Sequence, residues 1–145
     1  GGTRVPFIVR WPGHVDAASE SDALFGQVDL AASLASLVGV SRPEKALPDS
    51  QNELDTLLGE DSVGRPHLVH EAKSLALRVG KWKYIAPATS RDKLGPWNNV
   101  KVEKPGALYD LSRDRGELHD VGGANADKLA EMAKLLAALQ DQNDR

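Results

Sequence analysis

Two extended runs separated by two residues constrain this chain more than anything else in it. Leu75, Leu77 and Val79 alternate with Ala76 and Arg78, Gly80-Lys81 follows, and Trp82-Lys83-Tyr84-Ile85 runs back. Glycine at the first central position of a two-residue loop suits a type II′ turn, whose twist matches that of paired strands. A lone hairpin is marginal in water, so this one needs more strands and a cover. The chain offers both. His67 to Ala72 and Ala107 to Leu111 read as further strands, and Ser112 to Glu117 as a charged turn. Asp127 to Gln140 places Leu129, Met132, Leu135, Leu136 and Leu139 on one helical face, a stripe that stabilises the helix only by packing on the sheet. The expectation for residues 61–145 is a small antiparallel sheet of about four strands with a packed C-terminal helix, an α+β unit.

The first part reads differently. Val5, Phe7 and Val9 alternate with Pro6, Ile8 and Arg10, and Pro12-Gly13 ends the run. The pattern predicts a mostly buried strand, displaced to an edge or bulge by Pro6. Nothing precedes it to pair with, so the expectation is a chain that begins inside a larger domain. Gln27 to Val38 predicts a helix with an apolar stripe of Val28, Ala31, Leu34, Ala35 and Val38, widened by Leu30 and Leu37. Gly39 is placed to end it. Asp29, in its first turn, reads as a partner for the helix dipole. Ser50-x-x-Glu53 reads as a capping box for a short helix through Leu54, Leu57 and Leu58, closed by Gly59. The change from strand and helix to hairpins predicts a boundary near residue 60, dividing the chain into 1–60 and 61–145.

Composition narrows the function classes. The 145 residues carry a net charge of −3, with no basic stripe for a phosphate backbone, so nucleic acid is not expected as a partner. Lys81, Lys83, Arg91 and Lys93 cluster only mildly and read as a solvated strand edge and loop. There is no cysteine, hence no disulfide and no thiolate chemistry. No apolar run approaches the ~20 residues needed to span a bilayer. The four histidines, His14, His67, His70 and His119, fall at no metal-binding spacing. His67 and His70 lie three apart, on opposite faces of a strand. No nucleophile elbow, P-loop or dinucleotide fingerprint is present. Pro87 to Gly106, about twenty residues without periodicity around Trp97, is long for a compact domain, and such loops are often functional.

Four stretches in order carry a resemblance. Gly1-Gly2-Thr3-Arg4-Val5-Pro6 through Trp11-Pro12-Gly13 looks like a segment that follows the last core active-site lysine of sulfatases. Gln27-Val28-Asp29-Leu30 and the helix to Gly39 resemble the next helix of that family. Ala76-Leu77-Arg78-Val79-Gly80-Lys81-Trp82-Lys83-Tyr84-Ile85 is similar to its C-terminal hairpin. Leu108-Tyr109-Asp110-Leu111 with Asp114 and Gly116-Glu117 is similar to its closing strand and turn. The chain thus resembles the C-terminal part of a type I, formylglycine-dependent sulfatase of the alkaline-phosphatase-like superfamily.

The resemblance implies that residues 1–60 are the tail of an alkaline-phosphatase-like α/β catalytic domain and 61–145 the small C-terminal subdomain. It implies a parent enzyme that hydrolyses sulfate esters, small-molecule or carbohydrate, through a formylglycine nucleophile and Ca²⁺. Alternatives are a phosphonate monoester hydrolase or phosphodiesterase of the same superfamily, or a non-catalytic binding module. The principal catalytic and metal positions of the family fall upstream of Gly1, so this stretch alone is expected to be inactive and to bind no cofactor. The one near match to the formylglycine motif, Ser41-Arg42-Pro43-Glu44-Lys45, ends in Lys rather than Arg and follows a helix stop, and it is rejected. Arg4 matches a family position close to the active site and reads as structural, bracing the strand end. His70 and the Pro87 to Gly106 loop are the candidates for substrate contact, because the small domain edges the substrate cleft in many relatives. Against this stands His70 as a half-buried, hydrogen-bonded structural residue. A periplasmic or extracellular location follows from the resemblance alone.

Overall fold

The computed structural model describes residues 4–41, 46–71, 74–87 and 105–143. Most of Ser41 to Lys45 and of the Pro87 to Gly106 loop, with Trp97, Arg91 and Lys93, lies outside the described residues, as do Gly1 to Thr3 and Ala72. Two compact units appear: Val5–Leu68, and a second containing Arg4 with residues 69–143.

The second unit holds the sheet. Strands β1 (Leu68–Glu71), β2 (Leu75–Val79), β3 (Trp82–Ile85) and β4 (Ala107–Asp110) lie in that spatial order, so each strand neighbours the one before it in sequence. β2 pairs antiparallel with β3 (Leu77 opposite Tyr84), and β3 with β4 (Tyr84 opposite Leu108). Val79 faces Trp82 across Gly80-Lys81, and only Gly80 takes a positive φ, +51°, as a type II′ turn requires. Gly106 enters β4 at φ +117°, where an added Cβ would stand 2.5 Å from Tyr84 Cε2 and 2.7 Å from the Ile85 carbonyl oxygen. Only glycine fits there.

Strand alternation sends Leu75, Leu77, Val79, Trp82, Tyr84 and Leu108 to one face, where the closing helix α3 (Ala126–Asn143) packs. Leu77, Tyr84, Leu108, Leu129, Met132 and Leu136 form the buried core, and Leu135 and Leu139 pack against it. This is the predicted stripe in its predicted role. Tyr84 keeps its hydroxyl satisfied by donating to the Pro105 carbonyl at 3.0 Å.

The first unit departs from expectation. Residues 5–10 form no strand, and Val5, Phe7 and Ile8 are exposed, Ile8 at 89%. The alternating pattern is present, but no strand among the described residues offers it a ladder; the one parallel bridge in this unit joins Leu24 to Gly64. A 3₁₀ turn over Gln27–Asp29 leads into α1 (Leu30–Leu37), and Gly39 at φ +69° follows its end. The helix lies where the periodicity places it, yet its apolar stripe is not the buried face. Val28, Leu34, Leu37 and Val38 are exposed, Val38 at 69%, whereas Asp29, Ala32 and Ser33 are buried.

The reason is a polar hub. Asp29 is fully buried and reads as more than a dipole partner. Its Oδ1 accepts from Arg65 Nη1 at 2.7 Å and from the Gln51 amide at 3.0 Å, and its Oδ2 from the Gly26 amide at 3.0 Å. Arg65 also donates to the carbonyls of Asp49 and His67. Ser33 Oγ donates to the Asp29 carbonyl and accepts from the Glu53 amide. Ser50, predicted as a cap, is instead buried and accepts from the Ala32 amide. Glu53 takes the N-cap position of the short helix α2 (Leu54–Leu58), which ends at Gly59 with φ +84°.

Candidate functional site

The sheet's second face, turned away from α3, carries the polar chemistry of the second unit. Alternation sets Ala76 and Arg78 on β2, Lys83 and Ile85 on β3, and Ala107 and Tyr109 on β4 to this side, with Arg78 opposite Lys83 and Lys83 opposite Tyr109. Ala76, Lys83, Ala107 and Tyr109 are all buried. Lys83, expected in a solvated cluster, has only 7% of its side chain exposed and meets both carboxylate oxygens of Glu117 at 2.8 Å. Desolvation is what makes that pair necessary, since a lone ammonium at this depth would be costly. Lys81, by contrast, is half exposed; it pairs with Asp110 at 2.9 Å and stands 4.9 Å over the Trp82 ring.

Glu117 sits at φ +57°, left-handed backbone that a β-carbon disfavours. The turn that imposes this is tied down by Asp114, whose Oδ2 accepts from the amides of Leu118 and His119 at 2.8 and 2.7 Å. Those amide bonds hold the Asp114 carboxyl below its usual range despite opposing desolvation. Burial raises the Glu117 carboxyl, while the Lys83 hydrogen bond and charge lower it, and the net direction is down. Tyr109 is pushed up by burial first, then by the carboxylates of Asp120, Glu117 and Asp114.

His70 belongs to this constellation. It lies in β1, half-buried, and its Nδ1 is enclosed without a hydrogen-bond partner. Burial, then the charges of Lys83 and Arg78, lower its pKa, and Glu117 opposes them more weakly. The structure therefore gives His70 the burial of a structural histidine but not the hydrogen bond. Arg78 Nε donates to the Gly80 carbonyl at 3.2 Å.

The other sequence candidates do not join it. Arg4 is exposed. His14 stacks on Trp11, ring centroids 4.1 Å apart, in the first unit. His67 precedes β1, and His119 is exposed beside Asp114. Among the described residues no three His, Cys, Asp or Glu side chains could hold a metal ion, and no helix is long and apolar enough to cross a membrane. Sequence reasoning missed the Lys83–Glu117 pair and the Asp29–Arg65 pair. Both close over more than thirty residues, where no local spacing signals a partner. The one available hint was Lys83 itself, a charge on the inner position of an otherwise apolar, aromatic strand.

Comparison with known proteins matches residues 2–144 to the family described as N-sulphoglucosamine sulphohydrolase, C-terminal. The chain belongs to this sulfatase family. Within it, the chain is 39% identical over 143 residues to the N-acetylgalactosamine-6-O-sulfatase of Bacteroides thetaiotaomicron, covering 96% of this chain and 28% of that protein. A solved structure from work on glycosaminoglycan metabolism by Bacteroides thetaiotaomicron superposes with a TM-score of 0.79 at 37% identity, over 97% of this chain and 30% of the other. Another, solved with its substrate D-glucosamine-2-N,6-O-disulfate, shares the fold at a TM-score of 0.63 and 22% identity, over 93% of this chain and 28% of that one. This chain thus spans less than a third of the length of these relatives and corresponds to the C-terminal region of the family. Its four-stranded antiparallel sheet and packed C-terminal helix are the fold those relatives share.

Proposed function

We propose that this chain is the C-terminal part of a sulfuric ester hydrolase acting on a sulfated amino sugar, and that its sheet face with His70 borders the substrate cleft. The near-complete match to a sulfatase family, with 39% identity to an N-acetylgalactosamine-6-O-sulfatase, carries the reading. It favours a sulfate ester over a phosphonate or phosphodiester. Residues 1–60 are read as the tail of the catalytic domain and 61–145 as the C-terminal subdomain.

The Ca²⁺ and formylglycine that the family resemblance implies do not fit this chain. It has no cysteine, its one near match to a serine-type motif, Ser41 to Lys45, ends in Lys rather than Arg, and its described residues offer no metal-ligand group. Both fall to the rest of the longer protein. What this chain contributes is a largely buried sheet face in which Lys83 and Glu117 neutralise each other and His70 retains an uncommitted ring. A site built on strands holds a side chain more tightly than one built on loops.

The test is sulfate release by the full-length enzyme from N-acetylgalactosamine 6-sulfate, p-nitrophenyl sulfate and a phenylphosphonate monoester. Turnover is expected to be highest on the sulfated sugar. Preference for the phosphonate would overturn the reading.

A further inference from the structure

We infer that His70 is held as the neutral tautomer protonated on Nε2, presenting a single N–H donor to an uncharged substrate oxygen rather than a cation to a second sulfate. The inference rests on His70 contacting a sulfated sugar, as proposed above. Its own support lies in the geometry of the ring. Nδ1 is enclosed and meets no donor or acceptor. A proton there would be a buried N–H with nothing to receive it, and orphaned buried N–H groups are rarer than under-satisfied acceptors. A bare lone pair on Nδ1 also sits better beside positive charge. The charges that act on it are those of Lys83 on β3, Arg78 on β2 and, with opposite sign, Glu117 in the turn after β4. Glu117 already neutralises Lys83 through two oxygens at 2.8 Å. A third cation would therefore find its carboxylate taken. Tyr109, across from Lys83, is kept protonated and adds no charge. With Nδ1 closed off, the accessible part of this half-buried ring is its Nε2 side.

A neutral N–H is a modest donor, suited to a hydroxyl or an amide carbonyl. Sulfate oxygens gain more from charged donors. His70 in this state reads an unsulfated position on the sugar.

The carboxamide nitrogen of Gln lies about where Nε2 does, whereas that of Asn lies about where Nδ1 does. In the full-length enzyme, with N-acetylgalactosamine 6-sulfate, His70→Gln should keep KM within about threefold of the parent. His70→Asn and His70→Ala should raise KM about tenfold with kcat changed much less, the scale of one lost hydrogen bond. Parent KM should show no inflection near pH 6.5. Rescue by Asn but not Gln would overturn the inference, as would a KM that climbs as pH rises through about 6.5, the signature of a cationic imidazole. Unchanged KM in all three variants would remove His70 from the substrate altogether. Those outcomes leave sulfate release by the parent intact. A parent that prefers the phosphonate, or that releases no sulfate from sulfated sugars, defeats the broader reading instead. Should His70→Ala fail to fold, the Gln and Asn pair decides alone.

Discussion

The two units of this chain bury opposite things. Residues 69–143 bury hydrocarbon: Leu77, Leu108, Leu129, Met132 and Leu136 fill the space between sheet and helix. Val5–Leu68 buries a carboxylate, a guanidinium and the hydroxyls of Ser33, Ser50 and Thr56, while its helix turns Leu34, Leu37 and Val38 outward. A sheet and helix with matching apolar faces find each other by area alone, and the energy is spread over many contacts. A centre built from Asp29, Arg65, Ser33 and Ser50 is stable only when every polar atom is met. It depends on few, directional contacts that fail together.

That contrast sets the order of expected effects. Asp29→Ala leaves Arg65 buried without its carboxylate, and a loss of about 3–5 kcal/mol is expected in urea unfolding. The double variant Asp29→Ala, Arg65→Leu should recover part of that loss; strict additivity would show that the pair is not coupled. Leu108→Ala or Met132→Ala should cost about 2–5 kcal/mol, through lost contacts and the cavity left behind. Each effect should be confined to its own unit in amide exchange, and equal spread across both would erase the distinction drawn here. Leu34→Gln and Val38→Gln, though apolar to polar within a helix, should each move stability by no more than about 0.5 kcal/mol in this chain. A loss comparable to that of Leu136→Gln would mean the stripe is covered after all.

The smallest effect concerns acid. Asp110 is held at about 2, first by the Ser112 hydroxyl and then by Lys81. A carboxylate depressed in the folded state contributes stability that is fully present above its unfolded value of 3.8 and is lost as pH falls through about 2. Asp110→Asn should flatten that part of the acid limb, read as melting temperature against pH between 4 and 2. An unchanged slope would remove Asp110 from the acid response.

Much of the second unit is legible in the sequence alone. Gly80-Lys81, the alternation on either side of it, and the Leu129 to Leu139 stripe each have one local interpretation, and the three agree. The first unit misled in an instructive way. The stripe from Val28 to Val38 and the alternation from Val5 to Val9 are real patterns, but a pattern states which side a residue prefers, not whether a partner is there. Ser50-x-x-Glu53 has the form of a capping box, yet Ser50 serves Ala32 instead, because a hydroxyl bonds whichever amide the fold brings near. His70 was singled out by its place in a strand and by the sulfatase resemblance. Its neighbours Lys83 and Glu117, which decide its charge, were not.

By itself the sequence determined the helices, the strands and core of the second unit, the hairpin register and the family. These follow from local periodicity, turn chemistry and motifs in order, all of which are written within a few residues of one another. Only the tertiary structure decided which charges are buried and whom they meet. Asp29 with Arg65 and Lys83 with Glu117 are separated by 36 and 34 residues. Whether a charge so placed is solvated or enclosed depends on how distant segments converge, and electrostatic energy depends on that enclosure far more than on residue type.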